Sequence, residues 1–399
     1  MKRLIGIALL CTPLFATVNV KDYGAQGDGG TNDTAAMNAA FQAACAASDN
    51  VYIPAGSYSI NSLDPLYGCG ILIYGDGSDA TVLGIRSVVR PTLWSFAGGY
   101  GKSLSFQDLA LDGGHSPLAG LSIDGYQSVT LNRVYIHDFG TPGYAAGHHA
   151  DFDGAYIINI ETVQITNSQF TGNERSGVEL QAVHYSTMSN SVMSGNGRLG
   201  GVSEQNFVGA LDGPLLAEWF NNTVSNNGSG GIDVETDPNL PAAQAIIKGN
   251  QVIDCGNDSW DAGWGLVIGL NSFGTIDGNR VENFAAQASR GDYTSAIVYG
   301  LNGGPISITN NVVSGTKSYG IVGDSSSFPI NISGNTLLSN GTGIFIYLSP
   351  GVQILQNTIN NSSGPGIAVY WSDPATISGN QFADNLIDVL VNGRQALQQ

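Results

Sequence analysis

The sequence predicts an all-β fold, a parallel β-solenoid in which short strands stack coil upon coil. Two observations support this prediction. Glycine makes up 55 of the 399 residues and helical periodicity is almost absent, which is typical of many short strands joined by tight turns. In addition, a pattern of glycine, apolar, variable, usually apolar and variable residue recurs along the chain. The pattern begins at Gly177, Gly231, Gly265, Gly320, Gly343 and Gly366.

The spacing of this repeat corresponds to one coil of a solenoid. The last three copies are 343 − 320 = 23 and 366 − 343 = 23 residues apart, and the strands alternate without intervening helices. A second apolar segment that ends in asparagine also recurs, at Asn250, Asn279, Asn335, Asn357 and Asn380. We expect these asparagines to stack at an equivalent turn of successive coils, because asparagine tolerates a left-handed backbone and hydrogen-bonds along a stack.

The N-terminal region predicts a cap for the solenoid, since an open coil end is an unpaired strand edge. The cap is a helix whose start is marked by Asp33 or Thr34. Its apolar residues follow the spacing of one helix face: Met37, Ala40, Phe41 and Ala44. We therefore predict one solenoid domain over residues 17–399, with an N-terminal cap over 17–50 and a C-terminal cap over 380–399.

Residues 1–16, MKRLIGIALLCTPLFA, have the pattern of a secretory signal peptide. Two basic residues precede an apolar run too short to span a bilayer, and Ala16 is a plausible cleavage point. The sequence therefore predicts a secreted protein, extracellular or periplasmic, with no membrane partner. Its formal net charge of −18 makes nucleic acid an unfavourable partner, because both are polyanions.

Three of the four cysteines are left once a signal peptide is removed: Cys45, Cys69 and Cys255. An oxidising compartment permits one disulfide among them. Cys45 and Cys69 are close in sequence, whereas Cys255 follows an apolar run and is expected to be a buried thiol. The sequence leaves a bridge between Cys45 and Cys69 open, because pairing depends on geometry.

Three N-terminal segments carry a resemblance to a known family. Residues 18–44 read VNVKDYGAQGDGGTNDTAAMNAAFQAA, residues 51–60 read VYIPAGSYSI and residues 71–83 read ILIYGDGSDATVL. Together they resemble the start of the pectate-lyase-like right-handed β-helix proteins, in the rhamnogalacturonase and epimerase-like subgroup. The resemblance implies a right-handed single-stranded parallel β-helix that acts on or binds polysaccharide, as a monomer or a homotrimer.

Other motifs of related enzymes are only partly present. The chain lacks the Asn-Thr-Asp, paired Asp, Gly-His-Gly and Arg-Ile-Lys set of polygalacturonases, so a pectin-chain hydrolase of that kind is not implied. Residues 235–237 look like the Glu-x-Asp pair of iota-carrageenases. The Tyr-Gly-Phe-Asp-Pro-His motif of mannuronan epimerases is missing, although residues 148–154, HHADFDG, lie at a comparable coil.

Alternate side chains of each glycine-led strand face outward, and this outer face changes character along the solenoid. In the middle coils the outward positions hold Glu179, Gln181, Asp233 and Glu235. When residues 149–153, HADFD, are interpreted as a further strand, Asp151 and Asp153 join them. In the C-terminal coils the outward positions include Tyr347 and Tyr370, whose flat rings suit a sugar.

The leading hypothesis is a secreted enzyme that hydrolyses a polysaccharide by acid/base catalysis without a cofactor. Coils about 4.8 Å apart and alternate residues roughly 7 Å apart bracket the separations of glycosidase carboxylate pairs. The candidate catalytic residues are Asp233, Glu235, Asp151, Asp153 and Glu179. The candidate substrate-binding residues are Gln181, His149, His184, Arg175, Arg198, Tyr347 and Tyr370.

Two alternatives use the same residues differently. In a lyase or epimerase that acts on a uronate polymer, the five candidate carboxylates would bind Ca²⁺, and an arginine or a histidine would accept the proton. In a glycan-binding adhesin or tailspike-like module, the carboxylates would only hydrate the surface, and the aromatic side chains would bind the glycan.

Overall fold

Three parallel sheets, each built from one strand per turn, run the length of the molecule. The computed structural model describes residues 17–141, 152–197, 199–204, 216–256, 263–283 and 295–395. Within these ranges the strands belong to one continuous ladder of about 12 turns, which confirms the predicted all-β solenoid. Each turn passes through sheet 1, then sheet 2, then sheet 3, and the next turn returns to sheet 1.

Sheet 1 contains the glycine-led repeats. Its strands are Leu66–Tyr67, Thr92–Ala97, Ala119–Asp124, the first parts of Ala155–Thr166 and Val178–Ser189, Leu199–Glu204, Gly230–Val234, Trp264–Ile268, Ser295–Gly300, Tyr319–Asp324, Thr342–Tyr347, Pro365–Tyr370 and Ile387–Val391. The last of these also pairs with the antiparallel strand Arg394–Gln395. Solenoid strands therefore extend into the segment expected to form the C-terminal cap.

Sheets 2 and 3 complete each turn. The strands of sheet 2 are Thr17–Asn19, Asn50–Tyr52, Leu72–Tyr74, the first parts of Ser103–Ser116 and Ser128–Phe139, the second parts of Ala155–Thr166 and Val178–Ser189, Leu216–Phe220, Ala243–Lys248, Ser272–Asp277, Ile306–Thr309, Ile330–Ser333, Gln353–Leu355 and Thr376–Ser378. The strands of sheet 3 are Asp28–Asn32, Gly56–Asn61, Thr81–Ser87, the second parts of Ser103–Ser116 and Ser128–Phe139, Gln169–Thr171, Val192–Ser194, Thr223–Ser225, Gln251–Ile253, Arg280–Glu282, Val312–Ser314, Thr336–Leu338, Thr358–Asn360 and Gln381–Ala383. The helices are the 3₁₀ turn Val20–Tyr23 and α1, Thr34–Ala47, and in the described ranges no helix is long and apolar enough to cross a membrane.

The register of sheet 1 follows the alternation expected from the repeat. Ile321, Ile344 and Ile367 are paired in successive coils, and all three side chains are fully buried in the core. Their neighbours Phe345 and Ala368 are paired in the same way but face outward. Stacking identical apolar positions removes them from water in every coil, and this burial is the main stabilising contribution to the solenoid.

A buried ladder of asparagines runs along the turn between sheets 2 and 3. The backbone N–H and the Nδ2 of Asn250 donate to Asn279 Oδ1 at 2.8 and 3.0 Å, and the same two bonds recur along the stack. The predicted stack is confirmed, and it also includes Asn222 and Asn311. The left-handed residue is the one before the asparagine, such as Gly278 at φ +63°, rather than the asparagine itself. The asparagine is needed because one amide supplies both the donor and the acceptor that the buried turn requires.

Removing one amide from this ladder is expected to destabilise the protein. Asn279 Oδ1 accepts from Asn250, and its Nδ2 donates to the Ile247 carbonyl at 2.9 Å. In Asn279→Ala these buried groups lose their partners, so we expect the free energy of unfolding, measured with urea, to fall by about 3 kcal/mol. The matched control Asn360→Ala, at an outward strand position, should change it by less than about 0.5 kcal/mol. An equal loss in both variants would contradict the role of the ladder.

Helix α1 seals the N-terminal end of the coil stack, as the sequence predicts. Its buried residues are Met37, Ala40, Phe41 and Ala44. The Phe41 ring lies 4.4 Å from that of Trp94 in the core beneath the helix. Asp33 occupies the N-cap position without capping the helix, because its carboxylate accepts hydrogen bonds from two backbone N–H groups of the preceding turn.

A disulfide between Cys45 and Cys69 ties α1 to the coil below it, with a Cα–Cα distance of 5.1 Å. The pairing that the sequence left open is thus decided by geometry. Cys255 is a free buried thiol, as expected, and burial raises its pKa to about 11. It lies at the turn that leads into sheet 1, where its Sγ accepts from Asn227 Nδ2 at 3.8 Å.

Candidate functional site

The outer face of sheet 1 carries the candidate site, and the strand register decides which side chains are neighbours. One line of positions runs through Tyr156, Glu179, Val202, Asp233 and Val267 in successive coils. Glu179 and Asp233 both lie on this line, but the coil of Val202 separates them. Two steps of about 4.8 Å place their backbones roughly 10 Å apart. The candidate carboxylates therefore do not form one continuous cluster.

Phe152 and Asp153, the described part of the segment 149–153, lie before the strand of this coil rather than in it. The strand of this coil is Ala155–Thr166, and Asp153 precedes it, so the assigned register was wrong. The glycine of the repeat is Gly154, where a Cβ would lie only 2.7 Å from a carbonyl oxygen of the next coil. Because the strand starts after this glycine, Tyr156 takes the outward position that had been given to an aspartate.

Arg175 joins two carboxyl groups just beneath this face. Its Nη1 lies 2.7 Å from Asp153 Oδ2 and also hydrogen-bonds to Glu179 Oε2. The other Asp153 oxygen accepts the backbone N–H of Ser176 at 2.9 Å. Asp153 and Arg175 come from the turns that enter sheet 1 in successive coils, and Glu179 lies on the strand that follows. We call Asp153, Arg175 and Glu179 the Arg175 cluster.

A chain of hydrogen bonds leads from the Arg175 cluster towards the surface. Gln181 Nε2 donates to Glu179 Oε1 at 2.6 Å, and the Tyr156 hydroxyl donates to Gln181 Oε1 at 2.6 Å. Gln181 and Tyr156 are both partly exposed. The sequence interpretation included Gln181 and missed Tyr156. The missed signal is Gly154 followed by an apolar residue and Tyr156, which matches the start of the repeat.

The two carboxyl groups of the cluster are shielded from solvent, whereas the arginine reaches it. The side chains of Asp153 and Glu179 are 1% exposed and that of Arg175 is 16% exposed. Burial, and then the charge of Glu179, raises the pKa of Asp153 to about 7. Burial alone would lower the pKa of Arg175, but the charges of Asp153 and Glu179 outweigh it and raise that pKa. The Arg175 guanidinium therefore stays charged, whereas the charge of Asp153 changes near neutral pH.

This burial changes the roles that the sequence suggested for Asp153 and Glu179. A general acid or base must come within hydrogen-bond reach of the substrate. These two carboxyl groups are instead engaged by Arg175, and they hold its guanidinium at the face. Within this hydrogen-bonded set, the side chains that solvent reaches are those of Arg175, which is 16% exposed, and of Gln181 and Tyr156, which are partly exposed. Such a set can bind a carboxylate and exchange a proton with it or with a neighbouring carbon.

Asp233 and Glu235 lie two coils further along sheet 1. The Asp233 side chain is 4% exposed although its position faces outward. Glu235 is partly exposed and turns towards the following coil, where a Cβ at Gly269 would lie 2.7 Å from its Oε1. These two carboxylates are therefore separate from the Arg175 cluster.

His184 lies beyond the bend between sheets 1 and 2. Ala182, at φ +48°, turns the strand there. His184 Nδ1 lies 2.7 Å from Glu161 Oε2 of the preceding coil, so its contact is with that carboxylate rather than with the Arg175 cluster. Three further candidate residues lie outside the described residues: Asp151, His149 and Arg198.

Five aromatic side chains form a patch at the C-terminal end of sheet 1. The ring centroid of Phe345 lies 4.9 Å from that of Tyr319 and 5.8 Å from that of Tyr370. Trp371 lies 5.1 Å from Tyr347 and is 63% exposed. We call these five residues the aromatic patch. Six register steps of about 4.8 Å, or roughly 29 Å, separate it from the Arg175 cluster, so only an extended ligand can contact both.

Among the described residues, the carboxylates considered for a calcium site do not all lie together. Asp153 and Glu179 already share a guanidinium, whose positive charge would repel a calcium ion placed between them. The other described carboxylates of that set lie two coils away. Within the described ranges, one group of three such side chains is close enough to hold a metal ion, and it lies elsewhere, at Asp112, His137 and Asp138.

Comparison with family models agrees with this architecture. The model for rhamnogalacturonase A/epimerase, pectate lyase-like proteins matches residues 17–261, more than half of the chain. The chain belongs to this family. A second model, for the right handed beta helix region, matches residues 217–382. The resemblance seen in the N-terminal segments is thereby confirmed, together with the right-handed β-helix that it implied.

Several proteins of Azotobacter vinelandii are similar to this family member. It is 30% identical over 224 residues to mannuronan C5-epimerase AlgE5 and 28% identical over 234 residues to alginate lyase 7. These matches cover 46% and 55% of this chain but only 22% and 23% of the relatives, so the chain spans about a fifth of their length. The A-module of mannuronan C-5 epimerase AlgE6 matches in structure with a TM-score of 0.68 at 19% identity, over 91% of this chain and 98% of the module. That likeness shows a shared fold.

Proposed function

We propose that this family member is a polysaccharide-modifying enzyme that removes the C5 proton of a uronate unit, as a C5-epimerase or as a lyase. The observation that carries the proposal is Arg175, a charged guanidinium that two buried carboxyl groups hold at the outer face of sheet 1. The similarity to a mannuronan C5-epimerase and to an alginate lyase supports the same substrate class.

The chemistry of a uronate explains why an arginine is needed. Its C5 proton is weakly acidic, because the ionised C6 carboxylate destabilises the carbanion that proton removal leaves. A guanidinium bound to that carboxylate offsets its charge and stabilises the negative charge that develops in the transition state. Among the described residues of this face, Tyr156 is the group placed to move the proton. As a phenolate it would accept the C5 proton, and as the resulting phenol it could return a proton. Return of a proton to the opposite face of C5 gives the epimer, whereas loss of the C4 oxygen gives a C4–C5 double bond.

Asp153 adjusts the charge that the substrate meets. Below about pH 7 Asp153 holds its proton beside Arg175, and above about pH 7 it is ionised. A bound uronate brings another negative charge, so binding is favoured when Asp153 holds its proton. We therefore expect the affinity for a uronate polymer to fall as the pH rises through about 7.

Hydrolysis is the second candidate function, because oxygens of Asp153 and Glu179 meet at one nitrogen. Both oxygens hydrogen-bond to Arg175 Nη1, so they lie within about 6 Å of each other, a limit that includes the spacing of about 5 Å in retaining glycosidases. Their burial beneath Arg175 favours proton transfer over hydrolysis. A glycan-binding module without turnover is the third candidate, and the aromatic patch is the feature that supports it.

We further propose that the chain is exported. Residues 1–16 have a signal-peptide pattern. The Cys45–Cys69 disulfide supports the same proposal, because disulfides persist in oxidising compartments. Cell fractionation followed by N-terminal sequencing tests it. Mature protein outside the cytoplasm that starts near Thr17 is expected, and full-length protein retained in the cytoplasm would contradict export.

The deciding experiment incubates the full chain in D₂O with a panel of neutral and uronate polysaccharides that includes mannuronan. Proton NMR detects deuterium at C5, ultraviolet absorbance detects unsaturated uronate, and a reducing-end assay detects chain cleavage. Each reaction is run with and without EDTA, and activity lost in EDTA is titrated back with Ca²⁺.

Each outcome identifies one function. Deuterium at C5 of an intact polymer establishes an epimerase, and ultraviolet absorbance establishes a lyase. New reducing ends without either signal establish a hydrolase and overturn the proposal. Binding to a polymer with no product on any substrate establishes a binding module. Activity that needs Ca²⁺ to recover from EDTA establishes the calcium-dependent alternative.

The aromatic patch is expected to bind distant units of a long substrate. In Trp371→Asn the exposed ring is lost, and asparagine suits the backbone at φ +47°. We expect the KM for a long polymer to rise about two- to tenfold, with little change for short oligosaccharides that cannot span the distance. Tyr23→Ala, which removes an exposed tyrosine from the N-terminal cap, is the control. Equal effects on short and long substrates would argue against a remote binding site.

A further inference from the structure

Two histidines and two aspartates meet at the corner where sheet 3 ends. Asp112 and His137 are paired at the same position of successive coils, and Asp138 follows His137. His137 Nδ1 lies 2.9 Å from Asp138 Oδ2 and 3.8 Å from Asp112 Oδ1. His115 Nε2 lies 3.9 Å from Asp138 Oδ1. We call these four residues the corner cluster.

An insertion in one coil brings His115 into this cluster. The register shifts after His137, so that residues 113–115 lie opposite the single residue Asp138. His115 itself adopts φ +55°, and such bulges commonly redirect a side chain. The next coil has Gly172 beside Asp138, where a Cβ would collide with the Asp138 carboxylate. The backbone thus leaves space on one side of the carboxylate and brings an imidazole to the other.

The spacing of the corner cluster suits a small divalent ion. Metal–ligand bonds of about 2.0 to 2.1 Å in a tetrahedral site place neighbouring ligand atoms about 3.3 Å apart. The separations of His137 Nδ1 from Asp138 Oδ2, 2.9 Å, and from Asp112 Oδ1, 3.8 Å, bracket that value. The ligand atoms of Asp112, His137 and Asp138 all lie within 4.8 Å of one another. Imidazole nitrogens combined with carboxylate oxygens favour zinc-type ions, whereas calcium takes six to eight oxygens.

The cluster combines a fixed ring with open carboxylates. The His137 ring stacks on Tyr135 with centroids 4.1 Å apart, and its side chain is only 16% exposed. The side chains of Asp112 and Asp138 are 37% and 35% exposed, so an ion can reach them from solvent. A ring fixed by packing is an oriented ligand, and the exposed carboxylates give an ion access to it.

We propose that the corner cluster binds one divalent transition-metal ion of the zinc type, with Asp112, His137 and Asp138 as its ligands and His115 beside Asp138. The corner adjoins the turn that carries Arg175, because the backbone N–H of Glu174 donates to the Phe139 carbonyl at 2.8 Å and the backbone N–H of Phe139 donates to Asn173 Oδ1 at 3.3 Å. We expect the bound ion to stabilise the corner itself. This binding is independent of the reaction that the enzyme catalyses.

The test uses the full chain freed of metal with EDTA, and Zn²⁺ alone as the probe. Calorimetric titration of wild type is expected to show one ion per chain, and Co²⁺ in its place should give the visible bands of a tetrahedral site. Asp138→Asn removes the carboxylate charge, and asparagine tolerates the φ of +58° at this position. It should weaken Zn²⁺ binding at least about tenfold, as should the milder Asp112→Asn.

Asp384→Asn is the matched control. Asp384 directly follows a strand of sheet 3, has the same φ of +58° as Asp138, and is exposed. This variant should bind Zn²⁺ like wild type, and Zn²⁺ should raise the Tm of wild type and control but not of the corner variants. No saturable binding by wild type, or equal binding by both corner variants and wild type, would overturn the proposal and leave the cluster as an ordinary set of His–Asp ion pairs.

Discussion

Replacing Arg175 with glutamine is expected to abolish activity on a uronate polymer and to lower stability. The guanidinium provides the positive charge at the face, and loss of such a transition-state contact costs about a hundredfold or more in kcat/KM. The same change leaves Asp153 and Glu179, each 1% exposed, without their cation. Breaking a buried ion pair from one side costs about 3 to 5 kcal/mol. Kinetics on the polymer and urea denaturation of the folded variant measure the two effects.

Two further variants separate the catalytic loss from the structural one. The triple variant Arg175→Gln, Asp153→Asn, Glu179→Gln removes all three charges together and should recover most of the stability without recovering activity. Arg280→Gln removes an exposed arginine, 2.7 Å from Glu282, and should leave both quantities unchanged. Activity of the triple variant close to that of wild type would show that Arg175 serves the fold alone.

Asp153→Asn is expected to remove a pH dependence from both stability and substrate binding. Because burial raises the pKa of Asp153 to about 7, the folded chain keeps this proton between about pH 4 and 7, where the unfolded chain has lost it. Wild-type stability should therefore fall as the pH rises through this window and level off above it. Above pH 7 the wild-type KM for a uronate polymer should rise by up to about tenfold per pH unit. The variant should show neither slope.

The matched control for this titration is Asp108→Asn. The hydrogen bond from Arg133 lowers the pKa of Asp108, so its contribution to stability is present at neutral pH and is lost only in acid, below its ordinary value. Asp108→Asn should therefore keep the wild-type slope between about pH 5 and 7. If Asp153→Asn also kept that slope, another group would be responsible for it.

Features that repeat from coil to coil could be predicted from the sequence. The glycines at Gly343 and Gly366, the asparagine at Asn279 and the inward alternation of apolar residues recur at constant spacing. Each coil meets the same neighbours above and below, so one local pattern specifies one stacked contact many times. The capping helix was predictable for the same kind of reason, because Phe41 lies on an apolar stripe with a helical period.

The contacts of the candidate site could not be predicted, because they depend on how many residues each irregular coil contains. An error of five residues in the start of one strand placed Asp151 in the position of Tyr156 and Asp153 in that of Ile158. Nothing local identified Arg175 as the partner of Asp153. The coil of Val202 came between Glu179 and Asp233 for the same reason.

The sequence by itself determined the repeat, the stacked turns and the cap, since these follow from periodic burial of apolar and amide groups. Only the tertiary structure decided the disulfide between Cys45 and Cys69, the Arg175 cluster and the corner cluster. Each of these joins side chains from different coils. Those side chains meet, and become buried where they do, only once the coils are stacked.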